Sequence, residues 1–282
     1  MMSARFLTVV LERAFNMRDG FGREIDYMRI SVIDSCNLNC YYCNPCDNNE
    51  HCHALNILSV KEVLCIVRAA TRLGIKHFRL TGGEPLLHPQ LDEMVLQIKK
   101  IPGVSSVSLT TNAVLLAQHA KWLKEAGIDS INVSLDTIDA SEYERITKKP
   151  LLEEVKHGIN AAIECGIRVK INVVLTPQTD VVALTRYVAK KGTDIRFIEM
   201  MPVGEGHTNG VEPYKKVIGT LSKLYGEPCR INTEKTKEIN SGNDKRKIPD
   251  NGPAEYYIFP ELGIRVGLIQ AIHGKFCATC NR

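Results

Sequence analysis

The chain lacks the features that would take it out of the ordinary globular class. Its 282 residues contain no run of about 18 apolar side chains, which excludes a membrane-spanning helix. The first residues hold Arg5, Glu12, Arg13 and Arg18 among their apolar neighbours, without the ordered charge, apolar run and cleavage site of a secretory leader. A cytoplasmic location is therefore expected. A strong basic excess is also missing: the formal net charge is +4, which does not suit a nucleic-acid-binding chain. The polar stretch carrying Lys235, Lys237, Lys245, Arg246 and Lys247 reads as a solvated loop. With 44% hydrophobic and 24% charged residues, the chain has the composition of a soluble protein that can bury a sizeable core.

Cysteine, by contrast, is plentiful, with ten in the chain. In the absence of a leader their clustering points to metal rather than to disulfides. Cys36, Cys40, Cys43, Cys46 and Cys52 lie close together, Cys277 and Cys280 form a pair, and Cys229 stands alone. Cys65 and Cys165 fall in helix-like stretches and are expected to be small core residues. Cys36, Cys40 and Cys43 have C-x3-C-x2-C spacing, which offers three thiolates to one cluster and omits the fourth. A cubane of four irons takes one ligand per iron, so one iron would stay open to a substrate or cofactor. The competing reading is a structural zinc ion. Zinc prefers four ligands, usually in C-x2-C pairs, and this spacing supplies them poorly. Cys46, Cys52 and the histidines beside them are expected to be loop residues.

Short β-branched runs alternate with amphipathic helical runs along the chain. Strands are expected at 29–33, 77–80, 106–110, 130–135, 168–175 and 194–200, with helices at 60–73, 90–100, 117–126, 152–165 and 181–191. Ser59 and Glu62 form a capping box for the first helix, and glycines at 74, 127, 166 and 192 close four of them. Parallel neighbours require crossovers of this length. Six units fall short of a closed eight-stranded barrel. The expected fold is α/β, an open (β/α)6 partial barrel over residues 1–202, followed by a small α+β extension over 203–282. That extension holds a helix at 212–225, a loop at 232–253 and a hairpin of strands 256–259 and 264–269, and it is expected to cover one mouth of the barrel.

Ligands of parallel α/β sheets bind beyond the C-terminal strand ends, and the candidate motifs recur at those ends. The cysteine loop follows the first strand and Thr81-Gly82-Gly83-Glu84-Pro85 the second. Thr110-Thr111-Asn112 ends the third, Ser134-Leu135-Asp136 the fourth, and Glu199-Met200-Met201 the sixth, while Lys170 and Asn172 lie on the fifth. Any one of these could be a turn or a helix cap; together they mark one rim.

The cysteine triad with aromatic Tyr42 before its last member, and Gly82-Gly83-Glu84-Pro85 one unit later, resembles the radical S-adenosylmethionine (SAM) superfamily. Residues 28–32, 78–87, 109–112, 132–137, 169–174, 195–201 and 276–282 resemble more narrowly the MoaA-like GTP 3',8-cyclase family of molybdenum cofactor biosynthesis. The resemblance implies that Cys36, Cys40 and Cys43 hold a [4Fe-4S] cluster with an open iron. It implies that Tyr42, Gly82, Gly83, Glu84, Ser134 and Met201 contact SAM, and that Arg29, Arg79, Thr110, Lys170, Arg196 and Arg282 contact GTP. Guanidinium and ammonium groups suit a triphosphate; without the resemblance each would read as a strand-end salt bridge. The implied reaction is that of a lyase. A 5'-deoxyadenosyl radical from SAM removes the ribose C3' hydrogen, and C3' joins guanine C8 to give (8S)-3',8-cyclo-7,8-dihydroguanosine 5'-triphosphate. An external electron donor is required, and a homodimer is compatible with the chain.

Two departures from the family pattern stand out. Ser35 occupies the place before the first cysteine where the family usually has arginine. After Cys277 and Cys280 the sequence stops at Arg282, before the third cysteine and basic tail that serve the family's second cluster. Truncation, a shortened paralogue, or a ligand from Cys229, Cys46 or Cys52 are the readings of that ending, and the auxiliary cluster is doubtful. The rival functions are a radical enzyme acting on a peptide or another nucleotide, and a non-catalytic iron–sulfur protein. The division among the cysteines is tested by substitution: Cys40→Ala is expected to abolish the iron content of anaerobically reconstituted protein, and Cys65→Ala to leave it nearly intact.

Overall fold

The computed structural model describes residues 18–43, 57–201, 213–231, 253–272 and 280. The expected segment 44–53 with Cys46 and Cys52, the loop at 232–252, Cys277 and Arg282 lie outside the described residues. Nine strands form one mixed sheet in the order β1-β2-β3-β4-β5-β6-β9-β8-β7. They are β1 (Tyr27–Ser31), β2 (His77–Thr81), β3 (Ser106–Thr111), β4 (Ser130–Ser134), β5 (Arg168–Leu175), β6 (Asp194–Glu199), β7 (Cys229–Ile231), β8 (Glu255–Ile258) and β9 (Arg265–Ile269). The first six are parallel in chain order. The sheet is open, with β1 and β7 as its edges.

The described helices are α1 (Val60–Arg72), α2 (Leu91–Lys99), α3 (Leu116–Glu125), α4 (Ala140–Thr147), α5 (Leu152–Glu164), α6 (Val181–Lys190) and α7 (Pro213–Tyr225). The expected capping box of α1 is present: Ser59 Oγ accepts from Glu62 N at 3.3 Å, and Glu62 Oε2 accepts from Ser59 N at 2.8 Å. Gly74 follows α1 with φ +95°, a left-handed turn that sends the chain back into β2. No described helix is long and apolar enough to cross a membrane.

The two faces of the sheet differ in chemistry. Phe78, Leu80, Val107, Leu109, Ile131, Val133, Val169, Ile171, Ile195 and Phe197 are buried in one hydrophobic core. The alternate residues are polar: Arg29, Arg79, Ser108, Thr110, Asn132, Lys170, Asn172 and Arg196. Successive strand side chains point to opposite sides, so the apolar set faces the core and the polar set lines the inner face. Parallel strands buried on both sides read as continuous apolar runs, and closed barrels fill their interior with branched aliphatics. The strict alternation here marks an inner face kept for something other than packing.

The structure adds three elements that the sequence reading lacked and moves one cysteine. Helix α4 lies between β4 and α5, capped by Asp139, whose side chain accepts from Glu142 N at 2.8 Å. The Asp139-x-x-Glu142 pattern was the available signal. A short 3-10 turn, Pro85–Leu87, follows β2, and β7 pairs antiparallel with β8. The terminal hairpin joins the main sheet, because β9 pairs parallel with β6, aligning Arg196 with Gly267. The sheet thus continues across the expected boundary at residue 202. Cys65 is exposed on α1, off the buried stripe of Val63, Val67 and Ala70, so it is not the core residue expected. Cys165 is half-buried after α5 and packs against the edge of the core. Phe197→Ala is expected to cost about 3–5 kcal/mol by emptying a fully buried site, and Leu96→Ala, at a half-exposed position, no more than about 0.5 kcal/mol. Urea midpoints of the two variants check this.

Candidate active site

The segment after β1 is held against the segment after β2 by backbone contacts that only glycine permits. Val32 N donates to Thr81 O at 2.9 Å, Gly83 N to Ile33 O at 2.7 Å and Glu84 N to Ser35 O at 2.8 Å. A Cβ on Gly82 would fall 2.2 Å from Ile33 O, and one on Gly83 would fall 2.2 Å from Ser35 O and 2.4 Å from Asp34 O. The sequence reading assigned these glycines to close approach of a ligand. Their first task is to let the residues before Cys36 pass directly over them.

Glu84 completes the clamp. It is 1% exposed. Its Oε1 accepts from Leu86 N at 3.0 Å and from Thr111 Oγ1 at 2.7 Å, and its Oε2 from Asn112 N at 2.7 Å. Burial raises the carboxyl pKa and these hydrogen bonds oppose the rise. Asn112 carries the connection onward: its Nδ2 donates to Asn37 Oδ1 at 2.7 Å and reaches Cys36 Sγ at 3.7 Å. The far end of the cysteine loop rests on α4, through Asn39 N to Thr147 O at 3.0 Å and Tyr41 N to Ile146 O at 3.1 Å. The Tyr42 hydroxyl donates to Asp136 Oδ2, and Asp136 Oδ1 accepts from Val174 N at 2.7 Å. Burial pushes the Asp136 carboxyl up to about 6; burial, then the neighbouring Asp136 carboxylate, pushes the Tyr42 phenol up.

Cys36, Cys40 and Cys43 are free thiols on this one loop. The Cys36 thiol is raised by burial. A hydrogen bond between Cys40 and Cys43 raises the former and lowers the latter. Among the described residues no three His, Cys, Asp or Glu side chains converge on a single ion. That is compatible with a cubane, whose thiolates bind separate irons and stand apart. Three soft donors on one loop anchored at both ends, Cys36 and Cys43 exposed and Cys40 half-buried, fit such a cluster.

Next to this loop, the inner face of the sheet gathers cations. Arg29 pairs in register with Arg79, Thr110 with Asn132, Asn132 with Lys170, and Asn172 with Arg196. Arg29 is exposed on the edge strand. Arg79 Nε donates to Ser108 Oγ at 3.0 Å and its guanidinium lies 5.5 Å from the Tyr27 ring centroid. Lys170 is 6% and Arg196 4% exposed. The Lys170 ammonium sits 5.7 Å from the Tyr256 ring centroid. Arg196 Nε donates to Asn172 Oδ1 at 2.9 Å, and among the described residues no carboxylate pairs with it. Deeper in the sheet Asp194 takes Arg265 and, at 3.8 Å, Arg168. Among the described residues the salt-bridge reading therefore does not hold for Arg196, whereas Arg168 and Arg265, outside the candidate set, do pair with Asp194.

Of the other expected residues, Ser134 is exposed at the end of β4 and Met201 is 51% exposed beyond β6, so both stand at the rim with Gly82, Gly83 and Tyr42. Cys280 is half-buried. Sequence reasoning passed over the part played by Asp136, Asn112, Asn132 and Glu199. The last accepts from Ile272 N at 2.8 Å and ties the residues after β9 to β6. Each was visible only as a polar residue on or beside a strand.

A family model described as "Radical SAM superfamily" matches residues 30–184, and one described as "Molybdenum Cofactor Synthesis C" matches residues 193–282. A "GTP 3',8-cyclase" of Clostridium perfringens (strain SM101 / Type A) is 36% identical over 269 residues, covering 94% of this chain and 79% of the relative. One from Pelotomaculum thermopropionicum is 37% identical over 273 residues, covering 94% and 80%. Among solved structures, methylornithine synthase (PylB) superposes with a TM-score of 0.56 at 16% identity, covering 80% of this chain and 71% of that one. It is a likeness of fold alone.

Removing the Glu84 carboxylate strands three donors, at about 1–3 kcal/mol each where they stay buried. Glu84→Ala is expected to lose most of its iron on reconstitution. Glu84→Gln, which keeps one acceptor oxygen, is expected to retain an intermediate amount. Iron and sulfide analysis of the purified variants decides.

Proposed function

We propose that this chain, which belongs to the radical SAM superfamily and within it to the GTP 3',8-cyclase family, converts GTP to (8S)-3',8-cyclo-7,8-dihydroguanosine 5'-triphosphate in molybdenum cofactor biosynthesis. The observation that carries this reading is the adjacency of two features. A three-thiol loop is clamped at the C-terminal ends of the strands, and the same sheet carries a cation-lined face with buried Lys170 and Arg196.

Cys36, Cys40 and Cys43 hold a [4Fe-4S] cluster and leave one iron for SAM. When bound, cluster and SAM together supply abstraction of a hydrogen atom from an unactivated carbon. Ser134, Met201, Tyr42 and the backbone of Gly82 and Gly83 border the place where SAM would lie. Glu84 acts on that place through position: its carboxylate fixes the β2 and β3 ends, and the glycines beside it seat the cysteine loop.

Arg29, Arg79, Lys170 and Arg196 take the triphosphate, and Arg282 and Thr110 complete the nucleotide contacts. A guanidinium out of water and without a carboxylate is costly, and a polyanionic substrate offsets that cost through charge-assisted bonds. The same cations fix where the ribose lies. Positioning is the protein's main contribution to a reaction whose bond-breaking step the cofactor carries.

Residues 1–202 carry the six parallel strands of the barrel unit, and residues 203–282 continue its sheet through β9, β8 and β7 and supply Cys277 and Cys280 for a second cluster. Cys229, exposed on β7, is offered as a further ligand. An external reductant supplies two electrons, one for SAM cleavage and one that, with a proton, quenches the radical left after C3'–C8 closure; the chain pairs as a homodimer, and the cytoplasm is its place.

Anaerobic turnover of reconstituted protein with SAM, a strong reductant and GTP tests the assignment. GTP-dependent 5'-deoxyadenosine is expected together with a product isomeric with GTP, read by mass spectrometry. SAM cleavage indifferent to GTP would move the substrate to the peptide or other-nucleotide class. A cluster without SAM cleavage would leave an electron-transfer protein.

A further inference from the structure

One side chain on the inner face has no role in the contacts described above. Asn132 on β4 is 1% exposed, and neither its Oδ1 nor its Nδ2 has a hydrogen-bond partner among the described residues. A buried amide left unmatched at both ends is rare in native proteins and calls for a missing partner. Its position is informative. Asn132 pairs in register with Thr110 on one side and Lys170 on the other. It lies two residues below Ser134, on the same side of the strand. It therefore sits between residues assigned to the nucleotide and immediately beneath one assigned to SAM.

We propose that Asn132 is a substrate-contacting residue whose side-chain amide binds the ribose diol of the nucleotide. The inference rests on the cyclase reading and adds a residue and a substrate group to it. The amide offers one acceptor and one donor group side by side. A phosphate would satisfy the donor and leave Oδ1 facing negative oxygens, whereas a hydroxyl both donates and accepts. Lys170 beside it is the partner for phosphate. The carbon that reacts must lie between the SAM contacts and the triphosphate contacts, which is where Asn132 stands.

The test is equilibrium binding to the reconstituted protein without reductant, so that no turnover occurs. GTP is compared with 2'-deoxyGTP, 3'-deoxyGTP, inosine triphosphate and ATP, in the native chain and in Asn132→Leu, with Asn132→Ala as a second variant should leucine prevent folding. The native protein is expected to bind GTP about tenfold to hundredfold better than at least one deoxy analogue, the range for leaving buried partners unpaired. The variant is expected to lose that preference while keeping its preference against inosine triphosphate. The melting temperature of unliganded Asn132→Leu is expected to hold or rise, because the substitution removes the unmatched amide. Unchanged discrimination against both deoxy analogues in the variant would overturn the contact while leaving the cyclase reading intact. Loss of discrimination against inosine triphosphate instead would overturn it in favour of a base contact. Failure of the native protein to prefer GTP over ATP would overturn the cyclase reading, and this contact with it.

Discussion

The carboxylate of Glu84 accepts three hydrogen bonds, and they come from separate parts of the rim: the turn after β2 and the end of β3. Its own backbone N–H reaches across to Ser35, just before the first cysteine. One buried acid thus joins three consecutive elements at the place where the thiols emerge. Burying a carboxylate is unfavourable unless its oxygens are matched, and here they are matched by groups that would otherwise be unmatched themselves. The cost and its compensation are both local, so the geometry of the cysteine loop is set by the sheet rather than by the loop. That arrangement suits a cluster whose open iron must face the inner sheet in a fixed direction.

Below the clamp, the inner face follows the opposite logic from the outer one. The outer residues of β2 to β6 are packed against helices and carry the stability of the fold. The inner residues are cationic or amide side chains, and keeping them there sacrifices stability that branched aliphatics would supply. A parallel sheet sustains this only where something polar occupies its concavity. The buried cations Lys170 and Arg196 and the unmatched Asn132 are what a triphosphate and its ribose would complete.

Much of this was legible in the sequence because the dominant signals are periodic. Each of the first six strands was visible as a β-branched run, and the five helices between them as amphipathic stripes, four of which end in glycine. The Cys36, Cys40 and Cys43 spacing needed no structure. Helix α4 was missed because its eight residues are too few to show a stripe, although Asp139 and Glu142 gave its start. The joining of β9 to β6 was missed because pairing between segments about 70 residues apart leaves no local trace. Glycines 82 and 83 were assigned to a ligand because a close approach reads the same whether ligand or backbone makes it. Asn132 could not be singled out at all: burial without a partner is a property of its surroundings.

The central claim is that the chain positions the ribose of GTP so that the SAM-derived carbon meets its C3' hydrogen. The most direct measurement is transfer of label from GTP deuterated at C3', with reconstituted protein, SAM and reductant, followed in 5'-deoxyadenosine. The account predicts one deuterium per 5'-deoxyadenosine formed in the GTP-dependent reaction. Unlabelled 5'-deoxyadenosine, with the deuterium retained in the nucleotide, would contradict it.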